Sequence, residues 1–207
     1  MKTYELPVNA LRAALICAAK KDVREYLVGV LIDRQAGRIV GSDGSLMFVG
    51  QVPTMKAPSV LLPRTLVERA LKTCPKRAEG GIFVEAAPGA VTLKHADGSF
   101  TENGSYVDDG TDKRRFFNYE RVIPETVSGI PGHYNPELLA RGQNALNMYA
   151  GNRHPRFAFV GYNGDTAPCV MTLDNATALV VVMPCRAGEP ASRDWMRQTA
   201  KSENPTC

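Results

Sequence analysis

The residues able to do chemistry are few and scattered. His95, His133 and His154 stand apart, and Cys17, Cys74, Cys169, Cys185 and Cys207 form no C-x-x-C pair and no His/Cys metal spacing. Ser42-Asp43-Gly44 lies between apolar runs, where Asp-Gly reads as a hairpin turn rather than the seat of a nucleophile. There is no glycine-rich phosphate loop and no G-x-S-x-G. These patterns predict a protein without catalytic residues, metal or cofactor. The odd number of cysteines, three of them within apolar patterns, predicts unlinked thiols in a reducing, cytoplasmic setting.

Binding chemistry remains. The run Ala178–Arg186, ALVVVMPCR, takes an apolar strand to a tip of methionine, proline, cysteine and arginine. Basic residues gather on the polar sides of two helical stretches: Arg12, Lys20 and Lys21 on the first, and Arg64, Arg69, Lys72, Lys76 and Arg77, against Glu68, on the second. Such faces attract anionic polymers through long-range charge, and they are also common as plain solvated surface. The net charge of +4 permits an anionic partner without requiring one.

The elements that must position these residues recur three times, as one helix followed by strands. In the first copy, strand-like Lys2–Pro7 precedes a helix over Asn9–Lys20, capped by Asn9 or its neighbour Val8. Strands follow at Tyr26–Asp33, Arg38–Ser42 and Leu46–Val49. In the second, Ser59–Leu62 precedes a helix over Pro63–Thr73, then strands at Gly81–Ala87, Val91–His95 and Phe100–Val107. The charged segment Asp108–Arg115 reads as a surface loop. The third copy opens at Tyr119–Pro124, has a helix over Pro136–Tyr149, and ends in strands at Arg156–Tyr162, Cys169–Leu173 and Ala178–Met183. The expected class is α+β with antiparallel hairpins, and a lone unit has too little core to stand by itself. A hydrophobic fraction of 44% fits a folded protein, and no apolar run approaches membrane-spanning length.

Several stretches together resemble the bacterial DNA polymerase III beta subunit, the sliding clamp. KKDVREYLVGVLID (Lys20–Asp33) followed by GRIVGSDGSLMFVG (Gly37–Gly50) resembles its middle domain. VLLPRTLVERAL (Val60–Leu71) sits where that family has its second helix, RRFFNYERVIPE (Arg114–Glu125) resembles the segment joining two domains, and LVVVMPCR (Leu179–Arg186) resembles the C-terminus. The resemblance implies a DNA-clamp fold: residues 1–117 as a middle-type domain of two units, 118–186 as the last half of a C-terminal clamp domain, and 187–207 as an added tail. It implies no first domain. A phage or mobile-element source is one setting for so small a clamp.

Clamps bind linear peptides of polymerases and other replication proteins in a pocket between the middle and last domains. The positions the resemblance assigns to it are Leu27, Ser42, Gly44, Ser45, Leu46, Met47, Phe117, Arg121, Val122, Val181, Val182, Met183, Pro184, Cys185 and Arg186. Leucine, valine, methionine and phenylalanine suit an adaptable apolar cleft, and Arg121 and Arg186 suit the acidic part of a peptide. Ser45-Leu46 replaces the family's His-Arg pair and Phe117 a pocket proline, which implies an altered peptide preference. Arg24 and Tyr26 sit where clamps touch DNA, with Glu25 in place of an aromatic residue. With the basic faces named above, they make double-stranded DNA, bound without sequence specificity, an expected second partner.

Two assemblies are open. One is a ring, a homo-oligomer in which four such chains would close, with the difficulty that an odd unit count makes alternate interfaces differ. The other is a non-ring module that recruits or sequesters host replication proteins. An enzyme on a borrowed fold is the third, weaker reading. The tail, leaving directly from the pocket strand, is expected to lie near the pocket through Trp195.

Overall fold

A computed structural model describes residues 3–74, 81–87, 90–95, 101–104, 116–151, 154, 156–174 and 177–185. In the first unit, β1 (Thr3–Pro7) runs straight into α1 (Val8–Cys17), and β2 (Gly29–Asp33), β3 (Arg38–Ser42) and β4 (Leu46–Gln51) follow. The second unit is β5 (Val60–Pro63), α2 (Arg64–Thr73), β6 (Gly81–Ala87), β7 (Ala90–His95) and β8 (Thr101–Gly104). The third has α3 (Pro136–Ala150), β9 (Phe159–Gly161), β10 (Cys169–Thr172) and β11 (Ala178–Val182). The strands form two antiparallel sheets, β1-β6-β7-β8 and β5-β2-β3-β4-β11-β10-β9.

The first two units exchange their opening strands, since β1 pairs with β6 and β5 with β2. Both helices start behind a proline, Pro7 or Pro63, whose extended backbone ends the strand. Proline's fixed φ suits this switch, and its missing N–H costs nothing at a helix start. The cap of α1 is therefore Pro7, not Asn9 or Val8.

Period-two alternation divides the seven-stranded sheet. Val30, Ile32, Ile39, Leu46, Phe48, Val180 and Val182 face the helices and join the main core. Leu31, Val40, Met47, Val49 and Val181 face the other way, into a second cluster with Tyr119. Gly41 lets α1 settle on β3: a Cβ there would lie 2.0 Å from the Ala14 carbonyl oxygen. Gly142 does the same for α3 over Val180 and Met171.

Several elements differ from the sequence reading. Helix α1 stops at Cys17, short of Lys20, because Ala18 is already extended and the Ala19 N–H turns to the Leu27 and Ser42 carbonyls. Residues 25–27 form a 3-10 turn that tucks Leu27 into the core, so the strand starts at Gly29. β9 begins at Phe159, not Arg156. The stretch Tyr119–Val122 is a 3-10 turn lying on the second face of the sheet, where the Tyr119 hydroxyl donates to Asp33 Oδ2 at 2.9 Å and Arg38 pairs with Glu120.

The third unit consequently opens without a crossing strand. Its lead-in bonds to its own loop instead: Ser128 N–H to Asn163 Oδ1 (2.7 Å), Gly129 N–H to the Tyr162 carbonyl (2.9 Å) and Gly164 N–H to the Ile130 carbonyl (2.7 Å). The unit is joined to the others by β4–β11 pairing, with Met47 opposite Val181, and by α1 packing on α3. Asn135 caps α3 by accepting from Glu137 N–H, and Gly151, at φ 64°, ends it. Residues 100 and 105–107 of the expected strand Phe100–Val107, the loop 108–115 and the tail 187–207 lie outside the described residues.

Candidate functional site

The tight turn between β3 and β4 is the fixed point of the site. Asp43 Oδ1 accepts the N–H groups of Ser45 and Leu46, both at 2.9 Å, and Ser42 Oγ donates to the Leu46 carbonyl at 3.0 Å. Gly44 takes φ 91°, a backbone conformation that disfavours a side chain. The other Asp43 oxygen receives Arg141 Nη1 at 2.8 Å, and Arg141 Nη2 reaches the Ile16 carbonyl at 3.0 Å. One arginine of α3 thus ties this turn to the end of α1.

Three further elements converge on the turn. The end of β11 docks through Met183 N–H to the Ser45 carbonyl at 2.9 Å. From the 3-10 turn at 25–27, Tyr26 packs against Phe116 and Phe117, with ring centroids 6.2 and 6.3 Å away. Arg24 lies over Gly44, held by a two-pronged pair with Asp22 at 2.9 Å for each contact. Hydrogen bonds from the Arg24 guanidinium and backbone pull the Asp22 carboxyl down to about 2.

Together they enclose a cavity of about 260 Å³ lined by Leu27, Ser42, Gly44, Ser45, Leu46, Met47, Phe117, Val122, Val181 and Met183, with Arg24 and Tyr26. The first ten of these are positions the sequence analysis assigned to one pocket. Four others it assigned are placed elsewhere. Val182 is fully buried on the helix side of the sheet, as alternation requires beside Val181 and Met183. Arg121 is exposed on the 3-10 turn outside the wall, and Pro184 and Cys185 lie past the wall, where Cys185 N–H bonds the His133 carbonyl. Arg186 lies outside the described residues. Arg24 and Tyr26, expected to face DNA, also line the wall, and Arg24 stays exposed. The signal for this was local: Asp22, two residues before Arg24, directs the guanidinium onto the Asp-Gly turn.

A second cavity of about 390 Å³ adjoins the first across Tyr26, lined by Lys20, Lys21, Asp22, Glu25, Val28, Leu61, Pro63, Arg64 and Thr65. Arg64 does not serve as an outward cation. Its Nη1 donates to the carbonyls of Ala18 (2.8 Å) and Leu15 (3.2 Å) at the end of α1, and its Nε pairs with Glu68 at 2.7 Å. Lys20, Lys21, Arg69 and Lys72 are exposed, and Arg12 is half-buried on α1. Lys76 and Arg77 lie outside the described residues.

Among the described residues no cluster of three or more His, Cys, Asp and Glu could hold a metal, and no helix is long and apolar enough to cross a membrane. The fold does bring Cys74 Sγ to 3.1 Å from His95 Nε2, a pair that spacing did not reveal. It ties the end of α2 to β7, away from both cavities. Burial pushes the Cys17 thiol far up and the Cys169 thiol up to about 11. At ordinary pH both are therefore protonated and unreactive.

No family model and no curated protein matches the sequence. Solved structures do match the fold. The DNA polymerase III beta subunit of Thermotoga maritima superposes with a TM-score of 0.67 at 18% identity, over 90% of this chain and 66% of its own. The Pseudomonas aeruginosa subunit gives 0.65 at 17% identity, over 90% and 67%. The chain has the bacterial sliding-clamp fold. A Helicobacter pylori clamp bound to a DNA ligase peptide superposes equally well, with a TM-score of 0.67 at 12% identity. The chain spans about two thirds of the length of these clamps. In it, the clamp fold places the first cavity at the junction of β4 and β11, on the face of the sheet opposite the helices.

Proposed function

We propose that this protein is a clamp-like DNA replication protein that binds linear peptides of a polymerase or other replication proteins in the first cavity, and that it is not an enzyme. The observation that carries the reading is the coincidence of the pocket positions of the clamp resemblance with the walls of one real, largely apolar cavity. Leu27, Met47, Val181 and Met183 offer seats for hydrophobic anchors, and methionine adapts to varied ligands. A clamp from another organism has been solved with a ligase peptide, which supports the same class of ligand here.

The test is a fluorescence anisotropy titration with a labelled clamp-binding peptide. Micromolar binding is expected, and Met183→Ala should weaken it by about tenfold or more, as loss of a central apolar anchor does. The double variant Leu27→Ala/Met183→Ala should abolish it. Absence of binding at several hundred micromolar peptide would overturn the proposal.

Contact with double-stranded DNA, through Arg69 and Lys72 on α2, is the second part of the reading. Their exposure supports it, and a steep salt dependence of DNA retention would test it. A non-ring module that recruits or sequesters host replication proteins competes with a ring-forming homo-oligomer. Light scattering decides: a monomer at micromolar concentration rejects the ring.

A further inference from the structure

The two cavities share a partition. Tyr26 belongs to both walls, and one ion pair links them, with Arg24 on the first cavity and Asp22 on the second. The floor of the second cavity is apolar, built from Val28, Leu61 and Pro63. Its rim carries Lys20 and Lys21, both exposed, and neither has a carboxylate within ion-pair distance among the described residues. The remaining cation, Arg64, is committed to α1 carbonyls and Glu68, and Asp22 is committed to Arg24.

We propose that the second cavity continues the peptide groove and takes an acidic residue that flanks the apolar anchors. This rests on the peptide reading of the first cavity and adds a charge preference to it. The two lysines attract the carboxylate, and Val28, Leu61 and Pro63 cover the apolar part of the neighbouring residue. A nucleic-acid backbone fits less well. It gains nothing from an apolar floor. One carboxylate beside an apolar chain meets both the cations and the floor.

The experiment titrates the full chain with three labelled peptides: a short core bearing leucine and phenylalanine anchors, the core with flanking glutamates, and the core with flanking lysines. At low salt the glutamate flank is expected to tighten binding by about three- to tenfold, the range of one or two exposed ion pairs, and the gain should fade at high salt. Lys20→Ala/Lys21→Ala should remove the gain and leave the core peptide's affinity within about twofold. Lys20→Glu/Lys21→Glu should transfer the preference to the lysine flank. A glutamate flank without gain, or a gain that survives loss of both lysines, overturns this inference alone while core binding upholds the first cavity. If the alanine variant loses duplex DNA retention and no peptide affinity, the groove belongs to nucleic acid and the inference is again overturned. If the wild-type chain binds none of the peptides, the first cavity's role falls and this one falls with it.

Discussion

Replacing Arg64 with methionine should destabilise the fold and leave DNA retention almost unchanged. The guanidinium satisfies carbonyls that α1 leaves bare at its end, at 2.8 Å to Ala18 and 3.2 Å to Leu15, with a longer 3.4 Å approach to Ala19. Hydrogen bonds from a charged donor contribute about 1.5 kcal/mol or more each, and the two shorter ones dominate. The pair with Glu68 adds little, because that carboxylate is 42% exposed and screened by water. Methionine keeps the packing of the stem but offers no donor. The expected loss is about 2–3 kcal/mol, or roughly 5–10 °C in melting temperature for a chain of this length. Arg64→Lys should recover less than half of it, since one ammonium cannot reach both carbonyls and Glu68 in this geometry. Urea unfolding followed by circular dichroism gives the number. A loss under about 0.5 kcal/mol, accompanied by a large drop in DNA retention, would show that Arg64 faces outward.

Gly41→Ala should cost about 3 kcal/mol or more, because the new Cβ would meet Ala14 backbone atoms at 2.0 and 2.7 Å and α1 must lift off β3. Unchanged urea stability would mean the helix is not seated there. Burial and the hydrogen bond to Asp33 raise Tyr119 to about 12, and burial raises Tyr4 to about 12 as well. A phenol whose folded value exceeds its unfolded value of about 10 stabilises fully below pH 10 and loses that contribution as pH rises through the folded value. Stability should therefore fall between pH 10 and 12, and Tyr119→Phe should flatten part of the fall. A wild-type urea midpoint that stays level across that window would refute the placement.

The strands were legible as short apolar runs bounded by turns, but their faces were not: Leu46, Met47, Phe48 and Val49 are all apolar, and the two sides separate only because each is covered by a different cluster. The end of α1 was not legible. Helical spacing runs on through Lys20, and what stops the helix comes from far along the chain: Ser42 and Leu27 claim the Ala19 N–H, and Arg64 supplies the terminal carbonyls with a donor. The opening of the third unit, Tyr119–Pro124, was not legible for a related reason. Its aromatic and β-branched residues have strand character, yet they are spent as a lid on the sheet, anchored by Asp33 and Arg38, residues 86 and 82 positions away. The cavity was legible through the family resemblance and only to the extent that local turns did not redirect a side chain. Arg24, directed onto the turn by Asp22, is a wall residue the resemblance did not assign.

The cavity follows from one register. Met47 stands opposite Val181, and because side chains alternate, this pairing turns both toward the second face while Phe48 and Val180 turn together toward α3. A slip of one residue between β4 and β11 would exchange the faces, burying a cavity wall and exposing core. The same register brings Met183 N–H to the Ser45 carbonyl, which closes the rim against a turn already held by Asp43 and Arg141. The junction of the third unit with the first and the first cavity are thus one structural fact seen from two sides. A chain that keeps this junction keeps its cavity, whether or not further units lie beyond it. For that reason the peptide reading does not depend on the ring, and the two can be tested separately.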